Sequence, residues 1–86
     1  MIEVKKLSEL EYQVTVQEGG STTTHVVTVD DAYHRQLTGN GMSKEDLVRK
    51  SFEFLLSREP KESILRKFNL KVITRYFPDY EDQLQK

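Results

Sequence analysis

The side chains of this sequence best suited to moving protons near neutral pH are its two imidazoles, His25 and His34. Neither stands in a motif that also supplies a nucleophile and an orienting acid, so no catalytic residue is assigned. His25 falls on the apolar side of an alternating strand, where a structural role is expected, and His34 follows Tyr33 on a short helix, where a surface position is expected. With no cysteine and no third imidazole, the pair makes no zinc-ligand spacing. Asp79, Glu81 and Asp82 offer oxygen ligands of the kind calcium takes, but without the longer series and central glycine of a calcium-binding loop. Gly39-Asn40-Gly41 leads into a helix with Lys44 in its first turn, as phosphate-binding loops do, yet the rest of that motif is missing and a helix terminator is the plainer reading. No cofactor and no metal is expected.

Charge is more informative than any single motif. Residues 1–42 hold three basic and six acidic side chains (net −3), residues 43–77 nine and five (+4), and residues 78–86 one and three (−2), which together give the formal net charge of −1. Arg66, Lys71 and Arg75, interleaved with Phe68, Tyr76 and Phe77, form an aromatic and basic candidate surface for a macromolecular partner. The elbow from Arg58 to Ser63 is its neighbour. The surface reduces to packing if Tyr76 and Phe77 are buried.

The elements that must position these residues follow from periodicity. Ile2 and Val4 flank Glu3, and Tyr12, Val14 and Val16 alternate with Gln13 and Thr15, as in half-buried strands. Gly19-Gly20 suits a two-residue hairpin turn, and Thr22 to Val29 returns as a β-branched strand. Pairing across that turn sets Val16 opposite Thr23, Val14 opposite His25 and Tyr12 opposite Val27. Tyr12, Val14, Val16, His25, Val27 and Val29 then share an apolar face, while Thr24, Val26 and Thr28 face outward. Asp30 and Asp31 can cap a short helix carrying Tyr33 and Leu37. Ser43, with Asp46 three residues on and Met42 and Leu47 as a staple, opens a second helix whose stripe is Leu47, Val48, Ser51, Phe52, Leu55 and Leu56. That helix should stop near Glu59, because Pro60 disfavours helical geometry before it. Pro60 then suits the first turn of a further helix through Ile64, Leu65 and Phe68, continued after Asn69 by Leu70, Ile73 and Phe77.

The expected architecture is therefore α+β: a three-stranded antiparallel β-meander followed by three or four helices packed on one face, in a single domain 1–86. Within it, residues 1–30 are the meander, 31–78 the helical part and 79–86 a polar tail expected to fray. No stretch approaches the ~18 apolar residues of a membrane span. The expectation is a small cytoplasmic protein that binds an unidentified protein partner, with a homodimer possible and no membrane contact.

Two resemblances accompany this reading. The run from Ser51 through Arg58-Glu59-Pro60, Ser63-Ile64-Leu65-Arg66, Phe68, Leu70 and Ile73 to Arg75-Tyr76-Phe77-Pro78 and Tyr80 resembles a family of small bacterial proteins of unassigned function, and the likeness extends loosely to the strands. It implies no activity, cofactor or catalytic residue. Residues 22–58, with a strand ending Val27-Thr28-Val29, a helix, and Gly41-Met42-Ser43-Lys44 opening the next, are similar to ribbon-helix-helix DNA-binding proteins and antitoxins. That likeness implies strands paired between two chains whose outward residues read the major groove, here Thr24, Val26 and Thr28. These positions carry no Arg, Lys, Asn or Gln, the side chains that best read base edges, and nucleic acid is the alternative rather than the leading partner.

Overall fold

The computed structural model describes residues 1–39 and 41–85. Strands β1 (Ile2–Lys6), β2 (Glu11–Glu18) and β3 (Ser21–Thr28) form an antiparallel meander. The register of β2 on β3 is Val16 to Thr23, Val14 to His25 and Tyr12 to Val27, as alternation and turn chemistry require. Gly19 and Gly20 both take positive φ, 62° and 79°, which closes the two-residue loop at no Cβ cost. Tyr12, Val14, Val16, His25, Val27 and Val29 are all buried on the inner face, with Thr23 beside them.

Helices α1 (Asp31–Thr38) and α2 (Lys44–Arg58) follow. Gly39, at φ 61°, turns the chain out of α1 and gives its N–H to the Arg35 carbonyl. Asp30 stands at the N-cap of α1 without a side-chain capping bond, and its carboxylate instead lies 3.5 Å from Asn69 Nδ2 and 3.8 Å from Lys71 Nζ. Ser43 does cap α2, its Oγ accepting the Asp46 N–H at 3.1 Å. Leu47, Val48, Ser51, Phe52, Phe54 and Leu55 are the buried residues of α2, and Leu56 is half-buried. Glu59 is extended, and α2 ends there before Pro60.

Two expectations for the C-terminal third are corrected. The helix predicted from Pro60 onward is only a 3₁₀ turn, Lys61–Ser63, after which the chain runs extended into a fourth strand, β4 (Lys67–Asn69), parallel to β3 with Phe68 opposite Val27. The sheet is therefore four-stranded and mixed, in the order β1-β2-β3-β4, rather than a three-stranded meander. Ile64 and Phe68 stand four apart as a helix requires, and both are buried, but the carbonyls between them find better partners on β3. The Val26 N–H donates to Arg66 O at 2.8 Å, and the His25 ring takes Leu65 O at 2.8 Å. A second 3₁₀ turn, Leu70–Val72, is capped by Asn69, whose side chain accepts the Lys71 N–H, and leads into α3 (Ile73–Tyr76).

The second correction concerns the tail. Residues 80–84 form α4 (Tyr80–Leu84), and Tyr80 is wholly buried. Its ring lies 5.4 Å from Phe54, and its hydroxyl is 2.6 Å from Ser51 Oγ. Because Ser51 Oγ gives its proton to Leu47 O, Tyr80 is the donor in that pair. Arg58 forks onto Asp79 and stacks 4.6 Å over the Phe54 ring, while the Tyr33 hydroxyl donates to Glu81 Oε2 at 2.8 Å. The segment is docked because one aromatic side chain and two polar ties reach back 21 to 48 residues along the chain.

This docking carries a measurable share of the stability. Tyr80→Ala should cost about 3–5 kcal/mol, and Tyr80→Phe, which keeps the ring and loses one buried hydrogen bond, about 1 kcal/mol. Urea denaturation of the two variants checks this ordering, and equal stability of Tyr80→Ala and the parent chain would show that α4 is not part of the core.

Candidate functional site

The inner face of the sheet is covered by helices. The segment that returns from α2 to the sheet leaves a groove bounded by the C-terminal end of α2, the extended chain at residues 64–68, and α3. Its floor is buried apolar surface from Leu55, Ile64, Phe68 and Ile73. Its rim is formed by Leu65 and Tyr76, which are 46% and 65% exposed although both are large and apolar in body. Glu59 and Ser63 are the polar side chains of the lining. At about 110 Å³ the groove is somewhat smaller than the ~150 Å³ apolar cavity that takes a benzene ring, the scale of one aliphatic or aromatic side chain.

Of the predicted surface residues, Tyr76 lines this groove. Arg75 precedes it, and Arg66 follows Leu65, both exposed; among the described residues neither Arg66 nor Arg75 is held in an ion pair. Lys71 points elsewhere, its Nζ lying 3.8 Å from Asp30 Oδ2 and 5.6 Å over the Tyr33 ring. Phe77 is half-buried and stacks edge-on against Phe54 at 5.8 Å. The elbow is largely committed to structure. Arg58 is spent on Phe54, Phe77 and Asp79, and Lys61 is buried with its ammonium 2.8 Å from Glu62, whose carboxyl that contact holds below its ordinary range.

The groove is not readable from periodicity, because Leu65 fits the spacing of the helix expected for that segment.

Thr24, Val26 and Thr28 lie on the outer face of β3, with Thr24 exposed and the other two half-buried. Both edges of β3 are occupied within the chain over Val26–Thr28, by β2 and β4, so a ribbon made by pairing this stretch with a second chain has no edge there.

The remaining chemistry-bearing side chains are tied into the fold. Lys44 Nζ is 2.5 Å from Asp31 Oδ1 and 2.8 Å from Glu9 O, joining α2 to α1 and to the β1–β2 turn, and its hydrogen bond draws the Asp31 carboxyl down. Asn40, the centre of the glycine-flanked loop, lies outside the described residues. His34 Nε2 meets the Met42 carbonyl. Of the acidic cluster, Asp79 serves Arg58 and Glu81 accepts from Tyr33. Burial, reinforced by that bond to Glu81, pushes the Tyr33 hydroxyl up and keeps it protonated. Among the described residues no group of three or more His, Asp or Glu side chains could hold a metal ion, and no helix is long and apolar enough to cross a membrane.

His25 is fully buried, its ring 5.3 Å from that of Phe52. A carbonyl can only accept, so Nδ1 carries the proton given to Leu65 O, and Nε2 accepts from the Thr23 hydroxyl at 2.9 Å. Burial lowers the His25 pKa, the Leu65 carbonyl opposes that shift, and the nearby Arg66 charge adds to it.

Comparison with protein-family models, with curated proteins and with solved structures finds no match to this chain.

The environment of His25 makes stability depend on pH in a defined direction. The unfolded chain binds a proton at this residue near pH 6.5, whereas the folded chain resists it, so the contribution is complete above pH 6.5 and is lost as pH falls below it. The unfolding free energy from urea denaturation should decline between pH 7 and pH 5, by at most about 1.4 kcal/mol per pH unit from this one proton. His25→Asn should be less stable at pH 7.5 and flatter over the same interval; an equally steep profile in that variant would assign the dependence to another group.

Proposed function

We propose that the chain is a non-catalytic binding module. Its groove takes one apolar anchor side chain from a protein partner, and Arg66 and Arg75 select acidic residues flanking that anchor. The observation that carries the reading is the exposure of Leu65 and Tyr76 on either side of an apolar concavity. Burying such side chains against a partner gains about 25 cal/mol per Å² of apolar surface removed from water, and tyrosine beside arginine is a composition enriched where interfaces concentrate their affinity.

Charge supports the choice of partner. Residues 61–77 hold five basic side chains, Lys61, Arg66, Lys67, Lys71 and Arg75, against the single acid Glu62. Lys61 and Lys71 face Glu62 and Asp30, which leaves Arg66, Lys67 and Arg75 without an ion pair among the described residues, and the two arginines are next in sequence to the groove residues Leu65 and Tyr76. Free arginines at a rim steer and orient an acidic segment more than they raise its affinity. A nucleic acid would need base-reading or phosphate-tracking side chains over a longer stretch than this rim provides.

A ¹⁵N titration with short acidic peptides carrying a single phenylalanine or leucine tests the reading. The expected shifts cluster at Leu65, Val72, Ile73 and Tyr76. Tyr76→Ala and Leu65→Ser should each weaken binding about tenfold, equivalent to ~1.4 kcal/mol, while Arg66→Gln with Arg75→Gln should remove the salt dependence of binding. Equal binding of basic peptides with the same anchor, or shifts confined to the outer sheet face, would refute it.

A further inference from the structure

We infer that β1 is a self-complementary edge through which two copies of this chain join their sheets. β1 pairs with β2 on one side and ends the sheet on the other. Which of its backbone groups are free follows from the hydrogen bonds already made. Met1 exchanges both its bonds with Gln17, at 2.7 and 2.8 Å, and the Leu7 N–H donates to Glu11 O at 2.9 Å. In an antiparallel ladder such pairs alternate, so the odd residues Met1, Glu3, Lys5 and Leu7 face β2. The N–H and C=O groups of Ile2, Val4 and Lys6 therefore point away from the sheet, toward whatever lies beyond the edge.

Two antiparallel β1 strands can meet only in registers that bring these outward groups together, and side-chain charge discriminates among them. Centring on Val4 opposite Val4 pairs Ile2 with Lys6 of the other copy twice over, using all three outward residues on each strand. It also sets Glu3 directly opposite the second copy's Lys5, and Lys5 opposite its Glu3. Those are the non-hydrogen-bonded positions, where Cα atoms come within about 4.5 Å and side chains lie closest. Shifting the centre to residue 3 sets Glu3 against Glu3, and shifting it to residue 5 sets Lys5 against Lys5. Both shifts use fewer backbone groups and oppose like charges. Lysine on an edge strand commonly repels a second strand, but Glu3 two residues from Lys5 on the same face converts that repulsion into a matched pair at one register. Among the described residues neither Glu3 nor Lys5 is engaged in an ion pair within its own chain.

The inner face agrees. Val14 and Val16 on β2 are wholly buried, while Val4 and Ile2 opposite them on β1 are only half-covered. At the Val4-centred register a second copy sets Val4 against Val4 and lays the aliphatic stem of Lys6 along Ile2, closing the open side of the core. Five residues per strand make a small contact, so the dimer forms in a concentration-dependent manner rather than as a permanent assembly.

Sedimentation equilibrium of the full chain from micromolar to millimolar concentration tests this, with thermal melts on every variant. The parent chain should pass from monomer to dimer. Val4→Pro removes an outward N–H that no strand of its own chain uses, and should abolish dimerisation while the monomer stays folded. Glu3→Lys and Lys5→Glu each oppose like charges twice, and each should weaken self-association at least tenfold; mixing the two variants, or combining both changes in one chain, should restore it. The charge variants lie on the solvent face and decide the matter even if Val4→Pro fails to fold. A parent chain that remains monomeric throughout overturns the inference, as does a dimer indifferent to Val4→Pro, and failure of the combined charge swap to restore pairing overturns the register.

Discussion

The fold depends on a pair of bonds that tie residues 65 and 66 to the middle of β3. His25 reaches across from the strand to take the Leu65 carbonyl, and the next backbone amide, Val26, takes that of Arg66. These contacts are what hold the chain extended after α2 instead of letting it continue as a helix. They start the parallel pairing of β4, and they set the wall of the groove. The side of the His25 ring is supplied by Phe52 from α2, whose own ring lies 6.1 Å from Phe68 of β4. One imidazole thus links sheet, long helix and returning strand. Burial favours its neutral form, in which the Nδ1 proton goes to the Leu65 carbonyl and Nε2 accepts from the Thr23 hydroxyl.

That dependence explains which parts of the structure can be read from the chain and which cannot. The Gly19-Gly20 hairpin and the Ser43-capped helix are local: turn residues, alternation and a cap within three positions specify them, and the structure reproduces the register residue by residue. β4 is specified by partners 40 residues away, and its three residues are too short to show a period of their own. Ile64 and Phe68 carry the spacing of a helix face, and the competing donors on β3, the His25 ring and the Val26 N–H, decide against it. The docked tail is a similar case. Tyr80 and Leu84 stand four apart after Pro78-Asp79, a helix-start signal, but whether such a short helix forms depends on Phe54, Ser51 and Arg58, elsewhere in the chain.

The candidate surface divides in the same way. That aromatic and basic residues between 66 and 77 would gather was visible in composition, and Tyr76 is indeed open to solvent. That Lys71 would turn toward Asp30 and Tyr33, and that Leu65 would come out to form the opposite rim, depends on the chain being extended at residue 65 and tightly turned at residue 70. A helix through the same residues would have placed Leu65 in the core and scattered the arginines around its circumference. The concavity exists because the backbone changes from extended to 3₁₀ to α within ten residues, each change enforced by a specific bond: Leu65 O to His25, the Lys71 N–H to Asn69, and the Phe77 N–H to Ile73 O.

Net charge, almost zero, conceals this arrangement. The acidic side chains of the N-terminal half and of the tail are not spread evenly against the basic ones. Asp31 is taken by Lys44, Asp30 by Lys71 and Asp79 by Arg58, pairs that join separate elements, and Glu62 is taken by its neighbour Lys61. The Arg58–Asp79 and Lys71–Asp30 pairs are exposed and contribute little stability individually, whereas Lys44 and Lys61 are largely covered. Among the described residues Arg66 and Arg75, next in sequence to the groove residues Leu65 and Tyr76, make no ion pair, and neither do Glu3 and Lys5 on β1. A formal charge of −1 therefore describes neither surface, since one is locally positive and the other alternates in sign along a strand. The two surfaces lie at opposite ends of the sheet order, one beyond β4 and one at β1, so a second copy at the β1 edge leaves both grooves of the pair open.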